Sequence, residues 1–122
     1  MRLIIAGSRS FNNYELLAAT LDELTVDVPK EKLVVLSGHA RGADQLGERW
    51  SRERYVWCEF FHPDWQKHGK AAGHVRNAAM VASCDPGDAA VFFWDGQSPG
   101  TKGCIELARK AGLKVTVIQV QA

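Results

Sequence analysis

Cysteine and proline are scarce in this chain, with three of the first and four of the second among 122 residues. Cys58, Cys84 and Cys104 are odd in number, far apart and without a CxxC pair, so the sequence offers neither a disulfide framework nor a zinc knuckle. Each is expected to be a small buried thiol. His39, His62, His68 and His74 are scattered without metal-ligand spacing, and no metal site or cofactor is expected. An excess of charge is missing too. Fifteen Lys and Arg against fourteen Asp and Glu leave a formal charge of +1. That balance argues against a general nucleic-acid coat and a polybasic membrane binder, and it requires any anion site to be local. The longest apolar runs, residues 3–6 and 89–94, fall far below the ~20 residues needed to cross a bilayer. The chain opens directly on a strand-like segment rather than a signal peptide, so a cytoplasmic protein is expected.

What is present is the composition of one globular domain, 46% hydrophobic and 24% charged, expected to span residues 1–122 as a single unit. Such a chain buries somewhat under ~70% of the surface its unfolded form exposes, enough to stand without staples. Leu3, Ile4, Ile5 and Ala6, closed by Gly7 and Ser8, read as a strand buried on both faces, as parallel sheets require. Asn12 with Glu15 three residues on reads as a capping box. Tyr14, Leu17, Ala18, Leu21 and Leu24 continue at helical spacing and predict a helix over 13–25.

A second buried strand covers 33–36. The loop His39, Ala40, Arg41, Gly42 leads into a helix with inner face Ala43, Leu46, Gly47 and Trp50 and solvated face Glu48, Arg49, Arg52 and Glu53. A third strand spans 56–61, and 64–69, which has no clean period, reads as an irregular loop. Ala72, Val75, Ala79 and Ala82 read as the inner face of a third helix, and 89–94 as a fourth strand. A fourth helix, capped by Thr101, runs to Lys110 with Gly112 just beyond. Val115, Val117 and Val120 close the fold as a fifth strand. This alternation predicts the α/β class: a single Rossmann-like three-layer α/β/α domain with a five-stranded, mostly parallel sheet and right-handed crossovers.

In such a sheet ligands bind at the carboxyl ends of the strands, where strand order reverses. Gly7, Ser8 and Arg9 offer either close backbone approach with a forked cation or a plain turn. Gly38, Arg41 and Gly42, with Ser37, stand between a buried strand and a helix N-terminus, a concavity of N–H groups that favours an anion. Ser98, Gly100 and Thr101 can hold a phosphate in the same way at the start of the last helix. Two nucleotide-binding grammars fail. GxGxxG after the first strand has only Gly7, and in Gly100-Thr101-Lys102 the lysine falls on the wrong side of the threonine for a Walker A loop. Phosphate binding is therefore expected without ordinary NAD chemistry or P-loop phosphoryl transfer.

Arg76 and Asn77 either reach solvent or point into the crevice. The neighbouring Gly69, Lys70, Gly73 and His74 favour the crevice, because small residues and cations near one helix start suit an oxyanion. Trp65, in a polar loop, is placed to stack on a base, an interaction of about 1–3 kcal/mol. Trp94 closes a buried strand and suits core or ligand equally.

Four segments, IAGSRSF (5–11), SGHARGAD (37–44), GKAAGHVRNAAM (69–80) and FWDGQSPGT (93–101), taken together resemble the SLOG superfamily, in particular its small single-domain YspA/YpsA-related branch of bacteria and phages. The likeness runs from about Arg2 to Ile118. It implies a Rossmann-like domain that binds nucleotides or derivatives such as ADP-ribose-type molecules. Relatives include the LOG phosphoribohydrolases, the DNA-processing protein DprA and ligand-sensing domains of antiviral signalling systems. The LOG pattern pairs an arginine of the third-helix region with the glutamate of PGGxGTxxE. Arg76 matches that arginine and Gly100-Thr101 the GT, but Cys104 stands at the glutamate position. Glu106, two residues on, points about 200° away on a helix. A thiol is a poor substitute for a carboxylate beside a cationic sugar, so Asp44, Asp64 or Asp95 would have to supply one.

The chain is accordingly expected to bind a phosphorylated nucleotide-derived ligand, ADP-ribose-like or cyclic, as a sensor or phage-type sponge. Phosphates are assigned to Gly7, Ser8, Arg9, Gly38, Arg41, Gly42, Gly100 and Thr101, with Arg76 as the charged clamp. Asp95 is assigned a ribose hydroxyl and Trp65 the base, with Asp44, Lys70, Asn77 and Ser98 as further contacts. The alternative is a LOG-type nucleoside 5'-monophosphate phosphoribohydrolase in which Arg76 and Asp95 act. Single-stranded nucleic acid is the least favoured partner at near-neutral charge. The resemblance implies a homodimer.

Overall fold

The computed structural model describes residues 1–121. Chain order is β1 (Arg2–Gly7), α1 (Tyr14–Leu24), β2 (Val34–Ser37), α2 (Ala43–Glu53), β3 (Trp57–Phe60), α3 (Trp65–His68), α4 (Ala72–Ala82), β4 (Ala89–Trp94), α5 (Pro99–Lys110) and β5 (Lys114–Gln119), with 3-10 turns at Lys30–Lys32 and Gly69–Ala71. The strands form one sheet in the order β3-β2-β1-β4-β5, and every neighbouring pair is parallel. The α/β class and five-stranded sheet expected from the sequence are what the structure shows.

The unbroken apolar runs follow from this topology. Successive side chains of a strand face opposite sides of the sheet, and here both sides are covered. Leu3 and Ile5 of β1 with Val91 and Phe93 of β4 enter a core closed by α1 and α2. Ile4 and Ala6 with Ala90 and Phe92 enter a second core closed by α4 and α5. Fully burying a Leu, Ile or Phe is worth about 1.5–3 kcal/mol. The two central strands, which carry most of these residues, are therefore the rigid base for the loops at their ends.

Several local expectations shift. The cap of α1 is Asn13 rather than Asn12, its side chain accepting from the Leu16 amide at 3.1 Å. Residues 64–69, expected to be irregular, hold the short helix α3, capped by Asp64, whose carboxylate accepts from the Lys67 amide. The loop polarity that hid this helix is the polarity of a cap. Helix α5 begins at Pro99 with Ser98 as its N-cap residue, so Thr101 lies inside the first turn, buried, rather than capping it. Of the cysteines only Cys104 is fully buried, while Cys58 and Cys84 are half-buried. Glu48, expected on the solvated face of α2, is buried, and α4 turns Ala72, Met80 and Val81 inward while Val75, Ala79 and Ala82, expected on its inner face, are exposed.

Candidate functional site

β1 is flanked by β2 on one side and β4 on the other, so the chain leaves neighbouring strand ends in opposite directions. After β1 it passes to α1 on one face, and after β4 to α5 on the other. Diverging connections of this kind open a cleft at the carboxyl ends, and a crevice of about 730 Å³ lies there. Gly7 and Arg9 line it from the end of β1, and Asp44 from α2. Trp65, Lys70, Arg76 and Asn77 line it from the segment between β3 and β4, and Ser98, Gly100 and Thr101 from the entry to α5. These ten were all named from the sequence.

Five other named residues do not line the crevice, and four of them hold its walls. Ser8 is buried, and its hydroxyl accepts from the Asp95 amide at 3.0 Å. That bond ties the loop after β1 to the loop after β4. Gly38 offers its carbonyl to Arg76. Gly42 adopts φ +81°, and a Cβ on it would lie 2.3 Å from the Ser8 carbonyl oxygen, so the start of α2 packs directly on the loop after β1. Arg41 is exposed and outside the lining. The Asp95 carboxylate is taken up by its own loop, accepting from the amides of Gln97 and Ser98 at 2.8 Å each and from the Ser98 hydroxyl. These donors hold its pKa below the ordinary aspartate value. A ribose hydroxyl assigned to Asp95 would have to displace that cap. Trp94 likewise serves the loop, its indole N–H donating to the Ser98 carbonyl.

Cations dominate the lining. Arg9, Lys70 and Arg76 make no ion pair among the described residues. Asp44 is the one carboxylate among the described lining residues. Burial pushes its pKa up to about 6, against the Ala40 amide and the Arg76 charge, which pull it down. Arg76 points inward, its Nη1 donating to the Gly38 carbonyl and its Nε to Asn77 Oδ1 at 2.8 Å. Cys104 lies in the wall, where burial and then the Asp44 charge push its thiol up to about 12. A thiol so protected stays protonated near neutrality and is no nucleophile. Glu106 is exposed and outside the lining.

One polar group went unread in the sequence. Glu48 accepts the Ser37 hydroxyl at 2.6 Å and sits 2.8 Å from His39 Nδ1. His39 itself adopts a left-handed φ of 57°, a conformation that a non-glycine residue holds only under surrounding constraint. The signal was available: Asp44, Glu48 and Ser51, all buried, recur at i, i+4 and i+7, a polar stripe aimed at the sheet.

Fold and crevice together define a Rossmann-like α/β protein with a cation-lined cleft at its topological switch point. The chain belongs to the YspA, cpYpsA-related SLOG family, whose family model matches residues 1–68. It is also similar to the Gene 61 protein of Mycobacterium phage D29, 36% identical over 121 residues that cover 93% of each chain. No solved structure matches it. Among the described residues no helix is long and apolar enough to cross a membrane, and no group of His, Cys, Asp or Glu is clustered to hold a metal ion.

Proposed function

We propose that this protein binds a phosphorylated, nucleotide-derived ligand in the crevice, with its phosphate end against the first turn of α5. The observation that carries this reading is that Arg9, Lys70 and Arg76, which make no ion pair among the described residues, line the same crevice as that turn. The first amides of a helix have no intrahelical acceptor and sit at the positive end of its dipole. Gly100 and Thr101 present theirs beside a threonine hydroxyl. Trp65, 53% exposed at the crevice, supplies a face for a base. Membership of a SLOG family supports nucleotide-related ligands as a class, and an ADP-ribose-like or cyclic signal fits a sensor or a phage-type sponge.

Titration calorimetry with ADP-ribose, cyclic ADP-ribose and AMP tests the reading. Arg76→Ala is expected to weaken the bound member of that set by about 10- to 100-fold, the range for a charge-assisted hydrogen bond. Silence of the whole set, with inorganic pyrophosphate also silent, rejects the reading.

The hydrolytic alternative has one observation in its favour: a carboxylate, Asp44, does line the crevice although Cys104 replaces the glutamate of the LOG pattern. Release of free base from AMP, abolished by Arg76→Ala, would put hydrolysis in place of binding. The homodimer implied by family resemblance predicts twice the chain mass in light scattering.

A further inference from the structure

Asp44 and Arg76 face one another across Gly38. A Cβ on Gly38 would meet Arg76 Nη1 at 2.6 Å and Asp44 Oδ2 at 2.9 Å, so both groups stand against the same patch of backbone. Yet no ion pair joins them among the described residues. Arg76 is held instead by the Gly38 carbonyl and Asn77. Asp44 is 5% exposed. Its Oδ2, the oxygen that stands at Gly38, accepts only from the Ala40 amide at 3.2 Å, and its Oδ1 has no hydrogen-bond partner among the described residues. The result is a buried carboxylate with acceptor capacity unspent, opening into the crevice, and a fixed guanidinium opposite.

Arg2 Nε, and neither Asp44 oxygen, is the buried side-chain polar atom without a partner among the described residues, so the second Asp44 oxygen is open to the crevice, where a bound group can complete the shell of this mostly buried carboxylate. The chemistry of the gap restricts what can. A phosphate oxygen only accepts hydrogen bonds and is repelled by Asp44, while an ammonium only donates and is repelled by Arg76. A hydroxyl does both. One oxygen hydrogen-bonded on both sides bridges groups up to about 5.7 Å apart, a span that a direct ion pair does not need. We infer that the Asp44–Arg76 gap is a sugar-hydroxyl subsite, in which a ribose hydroxyl donates to Asp44 and accepts from Arg76. This rests on the reading of the crevice as a nucleotide site. It narrows the ligand to ribonucleotide derivatives, and it moves ribose recognition from the partly exposed Asp95 to a buried group on α2.

The test is calorimetry at pH 7.5 with AMP, 2',3'-dideoxy-AMP and inorganic pyrophosphate. The protein is expected to bind AMP at least about tenfold more tightly than the dideoxy analogue, as hydrogen bonds to charged groups imply. In Asp44→Asn the ratio of the two affinities falls at least fivefold, whatever the loss of a repelling charge adds to the binding of both nucleotides. Gly38→Ala, whose methyl would press on both Arg76 Nη1 and Asp44 Oδ2, also loses discrimination while the Asp44 carboxylate is kept, and circular dichroism checks that both variants fold. Equal binding of AMP and the dideoxy analogue overturns the subsite and leaves the phosphate reading standing. Discrimination that survives in both folded variants also overturns it. Pyrophosphate binding with both nucleotides silent overturns the subsite alone, and silence of all three overturns the phosphate reading with it.

Discussion

The turn that enters α2 and the turn that enters α5 each hold a carboxylate, in opposite ways. Asp44 is buried with a single amide donor and its pKa is raised. Asp95 is partly exposed, accepts from two amides and a hydroxyl, and its pKa is lowered. The backbones differ in parallel. Gly42 is wedged against the Ser8 carbonyl, whereas a Cβ on Gly100 would meet nothing within 4 Å. One turn is closely packed and leaves its acid unsatisfied, while the other is open and has spent its acid on its own shape. Hydrogen-bond saturation, rather than residue type or position at a strand end, decides which carboxylate remains free for a ligand.

The largest effect expected from breaking this contrast is at the glycines. Gly42→Ala forces a side chain into a left-handed backbone and onto the Ser8 carbonyl, and should lower stability by about 3 kcal/mol in urea denaturation. Gly100→Ala, in open space on a helix, should stay within about 0.5 kcal/mol of wild type. Equal costs would show that the two turns are packed alike.

Next in size is Asp44→Asn. A carboxylate whose folded pKa lies above its unfolded value favours folding less as pH rises through the folded value. The neutral variant should therefore gain about 2 kcal/mol at pH ~7.5, and the gain should shrink below pH 6 and approach zero near pH 4. Paired denaturation curves across that range would read it, and a loss at neutral pH would contradict the raised pKa.

Asp95→Asn should give the smallest change and the reverse sign. A lowered folded pKa stabilises above the unfolded value and is lost on acidification. The variant should melt slightly below wild type at neutral pH, with the gap closing as pH falls below about 4.

Much of the fold was legible because the physics is local. Runs such as Leu3 to Ala6 and Ala89 to Trp94 are buried on both faces, which only a covered parallel sheet requires. The glycine and polar clusters marked the strand ends where the crevice lies. Glu48 was misassigned: its helical neighbours Arg49, Arg52 and Glu53 are exposed, and hydropathy placed it on their face although it recurs at helical spacing with Asp44 and Ser51. The helix Trp65–His68 escaped because one short turn has no periodicity to detect. Asp44 and Asp95 could not be ranked, since an aspartate after a strand reads the same whether its donors come from its own loop or nowhere.

By itself, the sequence determined the class of fold, the order of its strands and long helices, and the end of the sheet at which the crevice opens, because alternation and apolar runs are short-range consequences of secondary structure. Only the tertiary structure decided which named residues face the crevice and which brace it. It alone showed that Asp44 and Arg76, far apart in the chain, meet over Gly38 without pairing. Burial and hydrogen-bond partners are set by segments distant in sequence, and no local pattern of residues records them.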